Sequence, residues 1–233
     1  MKHQVLIVSM LCMLLISAIS SAQLDIFKFF KGELSEEKII AGLKEALNIG
    51  TENSVKSTGC KDGYFGNETI KIVFPEKLQN VEGTLRKIGL NSAMDEFILS
   101  MNRAAESAAP HAKQIFLDAI MEMSFDDARK ILKGNDTAAT EYFRDKTSNK
   151  LSKEFQPVVN KATDEFGVTK KYKELEKQVK AIPFIKIETI DIDQYVVDKA
   201  LDGLFHVLGE EEKKIRTDPA ARVTDLLKEV FGS

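Results

Sequence analysis

The chain has 233 residues, with 33 Lys and Arg against 36 Asp and Glu, so its formal net charge is only −3. This balance gives no electrostatic reason to expect a nucleic-acid partner, because phosphate binding needs a concentration of cations. Hydrophobic residues make up 43% of the composition, which is enough for a chain of this length to bury a full core.

The first 22 residues have the pattern of a cleaved secretory signal. Lys2 and His3 form a basic head, Val5–Ile19 an apolar run, and Ser20–Ala22 a small-residue cleavage site. The apolar run is shorter than the roughly 20 residues that a membrane span needs. We therefore predict a signal peptide over residues 1–22 with a cut after Ala22, export of the remainder, and no transmembrane span in it.

Cysteine usage fits a chain that is stabilised by packing. Of the two cysteines, Cys12 lies in the predicted signal, so the mature chain keeps only Cys60. One thiol cannot form an internal disulfide. The sequence leaves open whether Cys60 is free or paired between two chains.

Hydrophobic periodicity after the signal predicts helices joined by short loops. Ser35, Ser124, Asp136 and Asp191 are placed to cap helices, Ser124 through a capping box with Asp127 and Asp191 in a capping pair with Gln194. The first predicted helix begins after Ser35, and the next two span Glu76–Ile88 and Ser92–Ala109. Further helices begin at Pro110, Ser124, Asp136 and Ser148. The helical period then continues up to Pro183, and the last two helices span Asp191–Pro219 and follow Pro219. Pro157 should kink or split the helix that begins at Ser148.

Two short segments are predicted to be extended. In Thr69–Phe74, Ile70, Ile72 and Phe74 alternate with Lys71 and Val73, which is typical of an extended segment. Phe184–Ile190 could pair with this segment as a two-stranded β patch. Gly59–Asn67 reads as a surface turn. The predicted fold class is thus all-α, a bundle of seven to nine helices with at most one short β patch, forming a single domain over residues 23–233.

Several runs of the sequence resemble the DUF4197 family, exported bacterial proteins that carry a domain of unknown function. These runs are GLKEAL (Gly42–Leu47), DGYFGN (Asp62–Asn67), SMNRAAE (Ser100–Glu106), GNDTAATEYFRDKT (Gly134–Thr147), and YVVDKALDGLF with GEEEKKIRTDP near the end. The resemblance implies a bacterial, periplasmic, α-helical protein. It implies no activity, cofactor or catalytic residue.

The longest predicted helix, Asp191–Pro219, has a charged residue in its apolar stripe. The stripe consists of Val197, Leu201, Leu204, Leu208 and Ile215. Glu211 falls in its last gap, about 40° from the mean direction of the stripe. A buried, unpaired carboxylate would cost several kcal/mol. Three explanations stay open: Glu211 is solvated, it pairs with a buried arginine, or that pair lines a cavity.

Two arginines are the natural partners of Glu211. Arg103 lies in a run of small residues and is flanked by Asn102 and Glu106. Arg144 could hold a carboxylate through two parallel hydrogen bonds. The candidate polar cluster is therefore Glu211, Arg103, Arg144, Asn102 and Glu106.

Metal and nucleophile motifs are not found in the sequence. After the signal, the only histidines are His111 and His206, without ligand spacing, and Cys60 has no evident base. We predict no metal and no cofactor. The favoured function is a non-catalytic binding or envelope-support module for an apolar or acidic envelope ligand or a protein partner. An enzyme using Glu211 with Arg103 or Arg144, and a purely structural protein with a buried Glu–Arg pair, are the alternatives.

Overall fold

The structure is a computed structural model that describes residues 35–181 and 189–231. The predicted signal peptide, Met1–Ala22, lies outside the described residues. The helices are α1 (Glu36–Thr58), α2 (Glu76–Lys87), α3 (Asn91–Ala108), α4 (Ala112–Glu122), α5 (Phe125–Lys133), α6 (Ala138–Glu165), α7 (Val168–Lys180), α8 (Ile192–Thr217) and α9 (Asp225–Phe231). Short 3-10 turns cover Ala109–His111 and Pro219–Ala221. The described residues contain no strand, and the all-α class is confirmed.

Contacts divide the chain into one unit up to Ile39 and another from Ile40 onward. The described part of the first unit is only the start of α1. There Ser35 Oγ accepts a hydrogen bond from the backbone N–H of Lys38 (3.3 Å), which is the cap predicted from the sequence. A single domain over residues 23–233 stays a prediction.

Three long helices, α3, α6 and α8, form the centre of the second unit. The most extensive helix–helix contact is between α6 and α8, and α3 packs against both. Ala104, Ala105 and Ala108 of α3 are fully buried, and their small side chains let the neighbouring helices approach closely. The largest fully buried apolar rings are Phe97, Phe116, Phe143, Phe155 and Phe205. Burying each ring stabilises the fold by roughly 1.5–3 kcal/mol relative to leaving it exposed.

Helix α8 follows its sequence prediction closely. All five residues of the predicted stripe, Val197 to Ile215, are buried. Asp191 caps the helix by accepting a hydrogen bond from the backbone N–H of Gln194 (3.0 Å). Helix α5 likewise has the predicted capping box between Ser124 and Asp127.

The prediction of separate helices after Asp136 and Ser148 is wrong, because α6 is continuous from Ala138 to Glu165. Ser148 does not begin a helix; its hydroxyl donates to the Arg144 carbonyl one turn earlier. Pro157 lies inside α6 without ending it. Pro157 is exposed, so solvent can hydrate the carbonyl that its missing N–H leaves unbonded.

The predicted β patch is not seen among the described residues. Thr69–Phe74 does keep the predicted alternation of burial, with Ile70, Ile72 and Phe74 buried and Val73 49% exposed. The prediction that the whole segment is extended is wrong, because Thr69 and Ile70 lie in a turn closed by hydrogen bonds to the Asn67 carbonyl, and only Lys71–Val73 lies outside turn, bend and helix. The segment also forms no ladder, and most of the predicted partner, Phe184–Ile190, lies outside the described residues.

Candidate functional site

One buried carboxylate on α3 holds the turn that follows α1. Glu106 is 5% exposed, and its Oε1 accepts hydrogen bonds from the backbone N–H groups of Tyr64 (3.2 Å) and Phe65 (3.1 Å). The buried Tyr64 hydroxyl donates to the carbonyl of Ala200 on α8 (2.6 Å). Burial, and to a smaller extent the charge of Glu106, raises the pKa of Tyr64 far above its ordinary range. The predicted surface turn is therefore a fixed connection between α3 and α8.

Arg103 completes this connection. Its guanidinium donates to Glu106 Oε2 (2.5 Å) and to Asp62 Oδ1 (2.7 Å), and its side chain is only 20% exposed. Burial alone would lower the pKa of Arg103, but the hydrogen bonds to Glu106 and Asp62 raise it above its ordinary value. Because the guanidinium bridges two carboxylates from different segments, Arg103 positions the turn.

Asn102 anchors the extended segment that comes next in the chain. Its Oδ1 accepts from the backbone N–H of Ile72 (2.9 Å), and its Nδ2 donates to the carbonyls of Ile72 (2.8 Å) and Ile98 (2.8 Å). The fully buried amide thus takes the place of a neighbouring strand for Ile72. The structure therefore brings together three of the five predicted residues, Asn102, Arg103 and Glu106, as one structural cluster.

Arg144, on α6, belongs to a different contact. Its Nη1 lies 3.2 Å from Asp202 Oδ1, and its guanidinium carbon lies 4.6 Å from the ring centroid of Phe205. The Arg144 side chain is 48% exposed.

Glu211 pairs with neither predicted arginine. It accepts from Lys214 Nζ (2.6 Å) and Asn53 Nδ2 (2.9 Å), and its side chain is 16% exposed. A contact between Glu211 and Arg103 or Arg144, which the enzyme alternative requires, is not formed.

The buried carboxylate of α8 is the next residue, Glu212, which is 7% exposed. Its oxygens accept from the backbone N–H groups of Ala139 (2.9 Å) and Thr140 (2.9 Å) and from the Thr140 hydroxyl (2.9 Å). Arg216, one turn later, donates to Glu212 Oε1 through Nε (3.0 Å) and Nη2 (2.8 Å). Glu212 thereby caps the N-terminus of α6 from another helix.

Sequence reasoning missed Glu212 although a signal was present. Glu212 lies four residues after Leu208 and three before Ile215, so helical spacing fits it as well as it fits Glu211. The prediction that Asp136 caps α6 is also wrong, since the N-cap is Thr137 and no side chain of its own caps the helix.

A cleft of about 300 Å³ lies between the extended segment and one face of α8. The segment contributes Thr69–Val73 and α2 contributes Glu76 and Gln79, while α8 contributes Tyr195, Lys199, Asp202, Gly203 and His206. The Tyr195 hydroxyl donates to the Val73 carbonyl (3.1 Å) and joins the two walls. Burial, and then the charge of Glu76, raises the pKa of Tyr195 to about 12, so Tyr195 is a neutral hydrogen-bond donor at neutral pH.

The cleft lining contains two lysines, Lys71 and Lys199, and two carboxylates, Glu76 and Asp202. Lys71 Nζ lies 4.1 Å from the ring centroid of Phe65, and Lys199 Nζ lies 5.9 Å from that of Tyr195. Within residues 35–181 and 189–231, neither lysine forms a salt bridge. Of the two carboxylates in the lining, Asp202 is already paired with Arg144.

No cluster of three or more metal-ligating side chains exists in the described ranges. Among the helices of those ranges, none has both the length and the hydropathy of a membrane span.

Comparison with known proteins identifies a family. A family model described as "Protein of unknown function (DUF4197)" matches residues 33–232. No curated protein and no solved structure matches the chain. Since the family match covers nearly the whole sequence and agrees with the resemblance in its motifs, the chain belongs to the DUF4197 family.

Proposed function

We propose that this protein is an exported, non-catalytic binding module, and that the cleft between the extended segment and α8 binds a ligand with an anionic group. The observation that carries the proposal is the pair of lysines, Lys71 and Lys199, that line the cleft without a carboxylate partner in the described chain. A cation in a concave, partly desolvated site attracts an anion more strongly than a cation on an open surface does.

The composition of the cleft supports binding. Its polar side chains are two lysines, two carboxylates, a histidine, an amide, a threonine hydroxyl and a neutral tyrosine hydroxyl, which can orient a ligand. The lining includes no serine or cysteine that His206 could activate as a nucleophile. The wall is also stiff, because Asn102 and Tyr195 fix the backbone of Ile72 and Val73.

Native mass spectrometry tests the proposal. Protein purified from the envelope of its host should carry a bound mass that dissociates on activation. The double variant Lys71→Ala with Lys199→Ala should lose it, whereas Lys213→Ala, which removes an exposed lysine of α8 outside the cleft lining, should keep it. Retention of the bound mass by the double variant would place the ligand elsewhere and sink the proposal.

Export is supported by the basic head, apolar run and small-residue cleavage site at the N-terminus. After osmotic shock of the producing bacterium, we expect a periplasmic protein that begins at Gln23. A full-length protein in the cytoplasmic fraction would contradict export without affecting the cleft.

A purely structural role is the second candidate, because the fold contains two buried Glu–Arg pairs. Glu106 with Arg103 and Glu212 with Arg216 both fix backbone of other elements. If the cleft variants behave as the parent protein in every binding assay while the Glu106 and Glu212 variants unfold, the structural role is favoured.

A further inference from the structure

The segment Lys71–Val73 at the wall of the cleft has two edges, and among the described residues only one of them has all its backbone groups bonded. Asn102 takes both backbone groups of Ile72. Backbone groups of successive residues in an extended chain point to opposite edges. The N–H and C=O groups of Lys71 and Val73 therefore lie on the edge opposite Asn102. The hydrogen bond from Tyr195 of α8 to the Val73 carbonyl shows that this edge faces the cleft.

Two of the four groups on this edge are already used. The Lys71 N–H donates to the Asn67 carbonyl (2.8 Å), and the Val73 carbonyl accepts from Tyr195. In the part of the chain that the structure describes, no hydrogen bond reaches the Lys71 carbonyl or the Val73 N–H. An acceptor and a donor two residues apart are thus presented together beside the cleft.

This pair fits one residue of a parallel strand. In a parallel ladder, a partner residue donates its N–H to the carbonyl of residue i−1 and accepts from the N–H of residue i+1. With Ile72 as residue i, the available groups are those of Lys71 and Val73. An antiparallel partner would need both the N–H and the C=O of one residue, and at Lys71 and at Val73 one of these two is occupied.

Side-chain directions then predict where charge belongs on the partner. The partner residue that forms both hydrogen bonds lies opposite Ile72, so its side chain points inward, as the buried Ile72 side chain does. The partner residues before and after this one have side chains that point outward, as the Lys71 side chain does. An aspartate or glutamate at these neighbouring positions would meet the unpaired cations of Lys71 and Lys199.

We propose that the ligand is an extended peptide segment of a partner protein, which adds to Lys71–Val73 as a short parallel strand and alternates apolar with acidic residues. This inference rests on the proposed function, because it names the ligand of the same cleft. Adding a strand to an exposed edge is a common mode of peptide recognition in which main-chain hydrogen bonds provide affinity and side chains provide specificity.

The test uses an acetylated eight-residue peptide in which valine alternates with aspartate, and two derivatives. N-methylation of every valine removes the N–H groups that face the segment, whereas N-methylation of every aspartate alters only groups that face away. By fluorescence anisotropy we expect the first derivative to bind about fivefold more weakly, since about one net hydrogen bond is lost, and the second to bind within about twofold of the parent. Exchange of the Val73 amide hydrogen should slow when the parent peptide binds.

Other outcomes separate this inference from the proposed function. Equal binding of both derivatives, with unchanged exchange at Val73, would overturn strand addition but leave an anion site. Binding of succinate or inorganic phosphate at Lys71 and Lys199 without any peptide binding would likewise leave only a small-anion site. If no probe binds and Lys71→Ala with Lys199→Ala changes nothing, both the inference and the proposed function fail.

Discussion

Replacing Glu212 with glutamine should destabilise the protein strongly although the change removes only a charge and adds two hydrogens. Glu212 Oε1 accepts from Ala139 N–H and Arg216, and Oε2 accepts from the N–H and hydroxyl of Thr140. Every partner is a donor. Whichever oxygen becomes an amide nitrogen will therefore face donors, and either Ala139 or Thr140 loses its backbone partner.

The burial of these groups determines the magnitude. The side chains of Glu212 and Arg216 are only 6% and 12% exposed, so water cannot easily replace the lost contacts. An unsatisfied buried N–H costs about 1–3 kcal/mol, and breaking a buried charge pair costs about 3–5 kcal/mol. Because Arg216 keeps its hydrogen bond to the Ile131 carbonyl, we expect a loss of about 3 kcal/mol. In a chain of this size, this corresponds to a fall in Tm of roughly 6–12 °C.

Glu211→Gln is the matched control, with the same substitution at the adjacent position of the same helix. Glu211 bonds to Lys214, which is 59% exposed, and to Asn53 in a contact open to solvent. Its loss should cost less than about 1 kcal/mol. The free energy of unfolding of both variants should be measured by urea denaturation followed by circular dichroism. Equal losses in the two variants, or less than about 1 kcal/mol for Glu212→Gln, would refute the argument that Glu212 is the buried cap of α6.

Two further predictions concern a close helix contact and a capping box. Gly203→Ala should lower the free energy of unfolding by about 1–3 kcal/mol, because the added Cβ would lie 2.6 Å from the Tyr64 ring. At Gly83 a Cβ would meet nothing within 4 Å, so Gly83→Ala should raise the free energy of unfolding by about 0.5–1 kcal/mol in the same assay. A destabilised Gly83→Ala variant, or a neutral Gly203→Ala variant, would contradict the packing. Ser124→Ala should remove about 1 kcal/mol at neutral pH. The Ser124 hydroxyl lowers the pKa of Asp127, so the part of this stabilisation that comes from the charged Asp127 carboxylate is present above pH 4 and is lost as the pH falls through the lowered pKa. The hydrogen bond from the Asp127 N–H to Ser124 Oγ does not titrate, so the difference in stability between parent and variant should shrink in acid without vanishing, and a difference that is constant with pH would exclude the linkage.

The helices could be predicted because their signals are local. A cap such as Ser124 or Asp191 bonds to residues three positions later, and the stripe of α8 repeats every three or four residues. The errors in α6 have the opposite origin. Whether Ser148 begins a helix or continues one depends on how the turns on either side of it pack against other helices. In the structure, α6 makes the most extensive helix–helix contact, with α8.

The candidate site was predicted in part. Asn102, Arg103 and Glu106 are close in sequence on one helix, so their proximity in space could be foreseen. Their partners could not, because the groups that satisfy them, such as the backbone of Tyr64 and Ile72, come from a segment about 30 to 40 positions earlier. The cleft was not predicted at all, since its walls are formed by segments far apart in the sequence.

By itself, the sequence determined the all-α class, the caps of several helices and the presence of a carboxylate on the apolar side of α8. Only the tertiary structure decided that this carboxylate is Glu212 and not Glu211, because both positions fit the three- and four-residue spacing between Leu208 and Ile215. The choice was made by the N-terminus of α6, where the N-cap residue Thr137 makes no side-chain cap bond and Glu212 accepts from the N–H groups of Ala139 and Thr140 instead.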